Sequence, residues 1–214
     1  MNDQDDRPSL DRASLARAFE MPERASSDRP HAHGRAVRPT ARAAALGRAL
    51  RRHKMTIATA ESCTGGLVAA YLTAMPGSSD FFLGGFVTYS NAAKQALLGV
   101  PAETLRQHGA VSEAAAASMA VGARTRLAVD VAVSVTGIAG PTGASPGKPI
   151  GLVYVGVATA CGAVVRRRVF SGTRAVIRRA ATVEAIEAAL AALPVAGPTL
   201  AGPDRSVQKG RTAP

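Results

Sequence analysis

The sequence predicts an α/β protein, a three-layer sandwich in which a mixed, mostly parallel sheet is flanked by helices. Three observations carry that expectation. Between residues 41 and 193, β-prone apolar runs alternate with amphipathic helical stretches, the pattern of strands joined by crossover helices. Two late runs, 150–159 and 163–170, meet at Cys161-Gly162 and read as a hairpin, which makes the sheet mixed. Residues 1–40 and 194–214 are rich in Pro, Gly, Ser and Arg and poor in apolar side chains, so they read as disordered tails around one domain at 41–193.

The elements follow in order. Stretch 40–54 is a helix with Leu46, Leu50 and alanines on one face and Arg48, Arg51 and Arg52 on the other. Residues 55–60 form a short apolar strand ending at Glu61. A helix spans 64–74, with Thr64 as its cap and Pro76-Gly77 as its stop. The run 82–90, rich in Phe, Val, Thr and Tyr, is a strand. Asn91 caps a helix to Leu98, and 101–107 adds one or two helical turns. Ser112, with the acid Glu113 beside it, opens an alanine-filled helix to Leu127. A strand alternates over 129–136, a Gly/Pro-rich loop covers 137–149, and after the hairpin 173–193 is a closing helix.

Composition limits the function classes. The chain has 26 Lys and Arg against 15 acids, a net charge of +11 over 214 residues. Part of that excess lies at the ends: 12 bases against 7 acids in 1–54, and 3 against 1 in 197–214. A basic tail raises the question of nucleic acid. Yet Phe19 is the sole aromatic residue in 1–40 and nothing there resembles a base-reading element, so a nucleic-acid partner is not expected. No apolar run reaches the ~18 residues of a membrane span, and the acidic opening Asp3, Asp5, Asp6 is not a signal peptide. Cys63 and Cys161 are too few for a disulfide scaffold, which points to the reduced cytoplasm. His31, His33 and His53 precede the first strand, and the sole histidine beyond them is His108, set before Gly109 as at a helix end. A Ser-His-Asp triad and a zinc site are therefore both hard to assemble, and no metal or other cofactor is expected.

In open α/β sheets, ligands bind outside the carboxyl ends of strands. Three loops hold that position. The first is Glu61-Ser62-Cys63-Thr64-Gly65-Gly66, whose glycines let a ligand approach the backbone and whose N–H groups suit an anion or an oxyanion. Thr64 serves well as a helix cap, which leaves Ser62 without that role. The second runs from Thr88 and Tyr89 to Lys94, the one lysine in residues 55–147. Lysine can lose its proton when desolvated and arginine cannot. The third is Thr136-Gly137-Ile138-Ala139-Gly140-Pro141, where backbone N–H groups can cradle phosphate, although neither a phosphate-loop nor a dinucleotide fingerprint is present. With no histidine available, a nucleophilic Ser62 needs Lys, Tyr or Glu as its base.

These segments, together with Pro76-Gly77-Ser78-Ser79, Gly84-Gly85-Phe86-Val87, Leu98-Gly99-Val100, His108-Gly109-Ala110-Val111-Ser112 and Lys148-Pro149-Ile150-Gly151, resemble the competence/damage-inducible CinA C-terminal domain over about residues 43–193. The separate N-terminal module of that family, similar to molybdopterin-binding domains, has no counterpart here, so the resemblance is to the stand-alone form. It implies an amidohydrolase that converts nicotinamide mononucleotide to nicotinic acid mononucleotide and ammonia without metal, in pyridine-nucleotide salvage. It also implies a homo-oligomer such as a dimer. The family's catalytic serine falls on Ser62, its tyrosine on Tyr89 and its lysine on Lys94, and Glu61 and Thr136 match its site. An arginine near the last helix belongs there too: Arg174 aligns best, with Arg178 one turn further along.

On this reading Ser62 attacks the amide carbon and neutral Lys94 takes its proton, with Tyr89 relaying or orienting it. Backbone N–H groups of Cys63, Thr64, Gly65 and Gly66 are the expected oxyanion hole. Arg174 and the loop of Thr136, Gly137 and Gly140 are the expected phosphate site. Glu61 faces the substrate cation or positions Lys94. The alternative reading is a non-catalytic nucleotide-binding module that regulates competence or the response to DNA damage.

Overall fold

The computed structural model describes residues 41–194; the tails expected at 1–40 and 194–214 lie outside the described residues, Pro194 apart. The order is α1 (Ala41–His53), β1 (Ile57–Glu61), α2 (Leu67–Thr73), a 3-10 turn (Ser78–Asp80), β2 (Phe82–Val87), α3 (Asn91–Leu98), α4 (Ala102–His108), α5 (Glu113–Leu127), β3 (Val131–Gly137), β4 (Leu152–Thr159), β5 (Gly162–Val169) and α6 (Arg174–Ala191). Each expected element is present, with its ends moved by a few residues. Among the described residues no helix is long and apolar enough to cross a membrane.

The five strands lie in the order β2-β1-β3-β4-β5. β1 pairs in parallel with β2 and β3, while β3–β4 and β4–β5 are antiparallel. The sheet is thus mixed as expected, though evenly divided rather than mostly parallel, because the hairpin supplies both antiparallel pairings. Those directions place the site. β1, β2 and β3 end on the same edge of the sheet. β4 runs back and β5 returns, so β5 also ends there and delivers the start of α6 to that edge.

β1, β3 and β4 are buried along nearly their whole lengths, as a sheet covered on both faces requires, with successive side chains going to opposite faces. Ile57, Val131, Val133, Val135, Val153 and Val155 pack with α1, α2 and α6 through Leu46, Leu50, Leu72, Ile177 and Ile186. Ala58, Ala60 and Ala132 meet Leu98, Leu105, Ala115 and Met119 on the other face. The second face is built from small side chains, so α5 lies close to the sheet. There the Ser134 hydroxyl donates to Ala116 O at 2.6 Å, and a Cβ on Gly156 would stand 2.7 Å from the same oxygen.

Candidate active site

The first loop forms a tight turn, and Glu61 organises it. Alternation along β1 turns Glu61 toward the α2 face, where it is 1% exposed. One carboxylate oxygen accepts from Gly66 N at 2.9 Å and Val68 N at 3.0 Å, the other from Ala69 N at 2.9 Å. These are the N–H groups that a helix start leaves without intrahelical partners, and a negative charge there also suits the helix dipole. Thr64, expected as the cap, is not: its buried hydroxyl has no partner among the described residues. Gly66 takes the cap position with φ +92°. Glu61→Ala, which strips three buried donors of their acceptor, is expected to destabilise the domain by about 3 kcal/mol, and Glu61→Gln by less. A urea midpoint unchanged in the alanine variant contradicts this role.

Lys94 is the central side chain. Ser90, one residue ahead of the expected Asn91, caps α3 by accepting from Ala93 N at 3.1 Å. Lys94 then falls in the first turn and points inward, 1% exposed. Its Nζ donates to Ser62 Oγ at 3.1 Å and to Thr88 O at 2.8 Å. No carboxylate pairs with it among the described residues. Burial pushes the Lys94 ammonium below its usual range, because a desolvated cation without a counterion is disfavoured. A lysine that gives up its proton more readily thus lies against a serine hydroxyl. Neighbouring Cys63 is a poor rival nucleophile, since burial pushes its thiol up to about 11 and keeps it protonated near neutral pH.

The expected oxyanion hole narrows. Gly65 N donates to Ser62 O at 3.0 Å and Gly66 N to Glu61, so neither glycine has an N–H to offer a substrate. Among the described residues the N–H groups of Cys63 and Thr64 are committed to no other residue. Ser62 N donates to Val135 O at 2.9 Å, which ties the turn to β3.

The other two loops meet through Arg174. Thr173 caps α6, so Arg174 opens the helix at the active edge. It donates to Gly140 O at 2.8 Å and to the Tyr89 hydroxyl at 2.7 Å, and no carboxylate pairs with it among the described residues. Tyr89 is 62% exposed and is engaged by Arg174, whereas Lys94 reaches Ser62 directly. The relay expected of Tyr89 is therefore not needed to join them. Thr136, 1% exposed, donates its hydroxyl to Ala110 O at 2.7 Å and so braces the turn before α5 instead of offering that hydroxyl to a ligand. Gly137 is packed against β4, where a Cβ would stand 2.7 Å from Leu152 O, which explains a glycine there by close approach. Arg178 faces inward: Nε donates to Cys63 O at 3.0 Å and a terminal nitrogen to Thr64 O at 2.6 Å. Of the two arginines, Arg174 stands at the mouth and Arg178 behind the turn. The Thr88 carbonyl that receives Lys94 had no signal in the sequence, since any residue supplies one.

Among the described residues no group of three His, Cys, Asp or Glu side chains gathers to hold a metal ion. The groups assembled at this edge are a hydroxyl, a buried amine beside it, two backbone donors that no other described residue takes and an arginine at the rim.

Comparison with known proteins identifies the family. The nicotinamide-nucleotide amidohydrolase PncC of Escherichia coli K12 is 52% identical over 143 residues, which cover 66% of this chain and 87% of that protein. The CinA-like protein of Salinibacter ruber is 49% identical over 152 residues but is matched over only 37% of its length, so the similarity there is to one part of a longer chain. The crystal structure of the competence/damage inducible protein CihA from Agrobacterium tumefaciens superposes with a TM-score of 0.67 at 42% identity, covering 72% of this chain and 96% of that one. A CinA superfamily protein from Klebsiella pneumoniae gives 0.69 at 36% identity. The family model of the CinA C-terminal domain matches residues 40–193, a span that includes every strand and every site residue described above, and the chain accordingly belongs to the CinA C-terminal domain family.

Proposed function

We propose that this chain is a metal-independent amidohydrolase that deamidates nicotinamide mononucleotide to nicotinic acid mononucleotide and ammonia in the cytoplasm. The observation that carries the reading is the contact between Lys94 Nζ and Ser62 Oγ at 3.1 Å, with the amine buried and, among the described residues, free of a carboxylate. Relatives named nicotinamide-nucleotide amidohydrolase at about half identity support the substrate.

Neutral Lys94 removes the Ser62 proton as Oγ attacks the carboxamide carbon. The developing oxyanion takes the free N–H groups of Cys63 and Thr64; each such donor typically lowers the barrier by about 3 kcal/mol. Lys94, now protonated, passes the proton to the leaving nitrogen as the C–N bond breaks, and ammonia departs. A water activated by the same amine then hydrolyses the Ser62 ester. Arg174 leaves Tyr89 or Gly140 to bind the substrate phosphate, which offers charge where those partners offer none.

The test is ammonia release from nicotinamide mononucleotide in the presence of EDTA. Steady turnover is expected. No turnover of this or any related phosphorylated amide overturns the reading and favours a module that binds nucleotide without acting on it. In the same assay Arg174→Ala is expected to raise KM about tenfold to a hundredfold with a smaller change in kcat, since the lost contact is made equally in ground and transition states. An unaltered KM removes Arg174 from the phosphate site.

A further inference from the structure

We propose that Arg178 is a positioning residue for catalysis, acting through the backbone of the nucleophile turn to aim the Thr64 N–H as an oxyanion donor; the inference rests on the serine amidohydrolase reading above. Arg178 lies one turn into α6 beyond Arg174, yet it does not reach the mouth of the site. Its fork takes Cys63 O at 3.0 Å and Thr64 O at 2.6 Å. Two successive carbonyls held by one planar guanidinium fix two successive peptide planes. In a trans peptide the C=O and the next N–H point in opposite directions, so with Cys63 O turned toward Arg178 the Thr64 N–H is turned away from it. Thr64 N–H is one of the two donors in the turn that no other described residue takes.

Two further observations fit this role. Gly65 has φ +58°, and a Cβ there would stand 3.3 Å from a terminal nitrogen of Arg178, so the tight turn and the arginine occupy adjoining space. Among the described residues no carboxylate pairs with Arg178, so its full positive charge remains behind the turn. A cation hydrogen-bonded to a carbonyl polarises that peptide and strengthens the donor on its far end. The arginine thus acts on geometry and on donor strength together, without touching the substrate.

The test is steady-state kinetics of Arg178→Ala and Arg178→Lys beside the unaltered protein. For Arg178→Ala, kcat is expected to fall about a hundredfold to a thousandfold, the loss typical of one oxyanion donor, with KM within threefold. Added guanidinium is expected to restore part of the rate. Arg178→Lys is expected to recover less than a tenth of it, because an ammonium lacks the fixed fork that spans two carbonyls. A rise in KM at constant kcat overturns the inference and places Arg178 on the substrate. So does a kcat within threefold of the unaltered protein, or a loss that guanidinium leaves unchanged and that follows a fall in melting temperature.

Labelling of Ser62 by a fluorophosphonate gives a readout free of the amide. There the Oγ–P bond forms, the P–F bond breaks, fluoride leaves and Lys94 takes the proton, with negative charge growing on the phosphoryl oxygen. The labelling rate is expected to fall in Arg178→Ala to the same degree as kcat; equal rates in the two proteins overturn the inference. If the unaltered protein releases no ammonia from any amide, the amidohydrolase reading fails, and the labelling rates still decide the role of Arg178.

Discussion

Ser62→Ala is expected to lower ammonia release from nicotinamide mononucleotide about ten-thousandfold or more, while nucleotide affinity stays within threefold. The magnitude follows from the role: a nucleophile is not replaced by its neighbours, and what remains is whatever binding and oxyanion donors achieve with water. The neighbours here are weak candidates. Cys63 adjoins Ser62, but its thiol is held protonated, with a pKa pushed up to about 11 by burial. Thr64 has a buried hydroxyl on the far side of a peptide whose carbonyl is held by Arg178. The turn itself does not depend on the Ser62 hydroxyl, since Ser62 N is tied to Val135 O and Ser62 O accepts from Gly65. The alanine protein should therefore fold and bind like the parent. Calorimetric titration with the nucleotide and a continuous ammonia assay check both halves. Activity within tenfold of the parent excludes Ser62 as nucleophile and points to direct attack by water.

Much of this arrangement is legible in the sequence, and the exceptions share a cause. The strands and long helices follow from apolar periodicity, which reports the two covered faces of the sheet directly. Ser62 and Lys94 stand out because their residue types are unusual for their places, a serine unneeded for capping and a lone lysine in an arginine-rich stretch, whereas Arg174 is picked out by the family resemblance alone. What the sequence leaves open is which partner each polar group takes. Glu61 was expected to face the substrate cation or Lys94, and its carboxylate instead binds three backbone donors of α2. Tyr89 was expected beside the Ser62 proton, and its hydroxyl accepts from Arg174. Gly65 and Gly66 were expected to offer N–H groups that the turn already uses. Backbone donors and acceptors are the same for nearly every residue, so composition and spacing cannot assign them; only the folded chain does. The role of Arg178 was missed for that reason, since both of its partners are carbonyl oxygens.

Lys94→Met is expected to reduce kcat/KM at least a thousandfold without a comparable loss of stability. Lys94 is almost fully buried and has no carboxylate partner among the described residues. Methionine fills a similar volume, removes the cost of a buried charge and leaves one carbonyl, Thr88 O, short of a donor. Those effects oppose each other, so the net change in unfolding free energy should lie within about 1 kcal/mol. Activity responds differently because the amine is the proton acceptor and then the proton donor. The pH dependence separates this from a purely electrostatic lysine. The amine is useful only when neutral, and its pKa lies below the usual 10.5. Log kcat/KM should thus rise by about one per pH unit below the folded pKa and level off above it. The stability of the parent moves the same way: the unfolded chain binds the extra proton between the folded pKa and 10.5, so unfolding free energy rises with pH across that window. Lys94→Arg retains the charge and cannot lose the proton, so it should be inactive at every pH. A profile in the parent with no rising limb at any pH below 10.5 at which the protein stays folded, or measurable turnover by the arginine variant, shows that the Ser62 proton goes elsewhere; the buried amine would then serve to hold Ser62 and the Thr88 carbonyl in register.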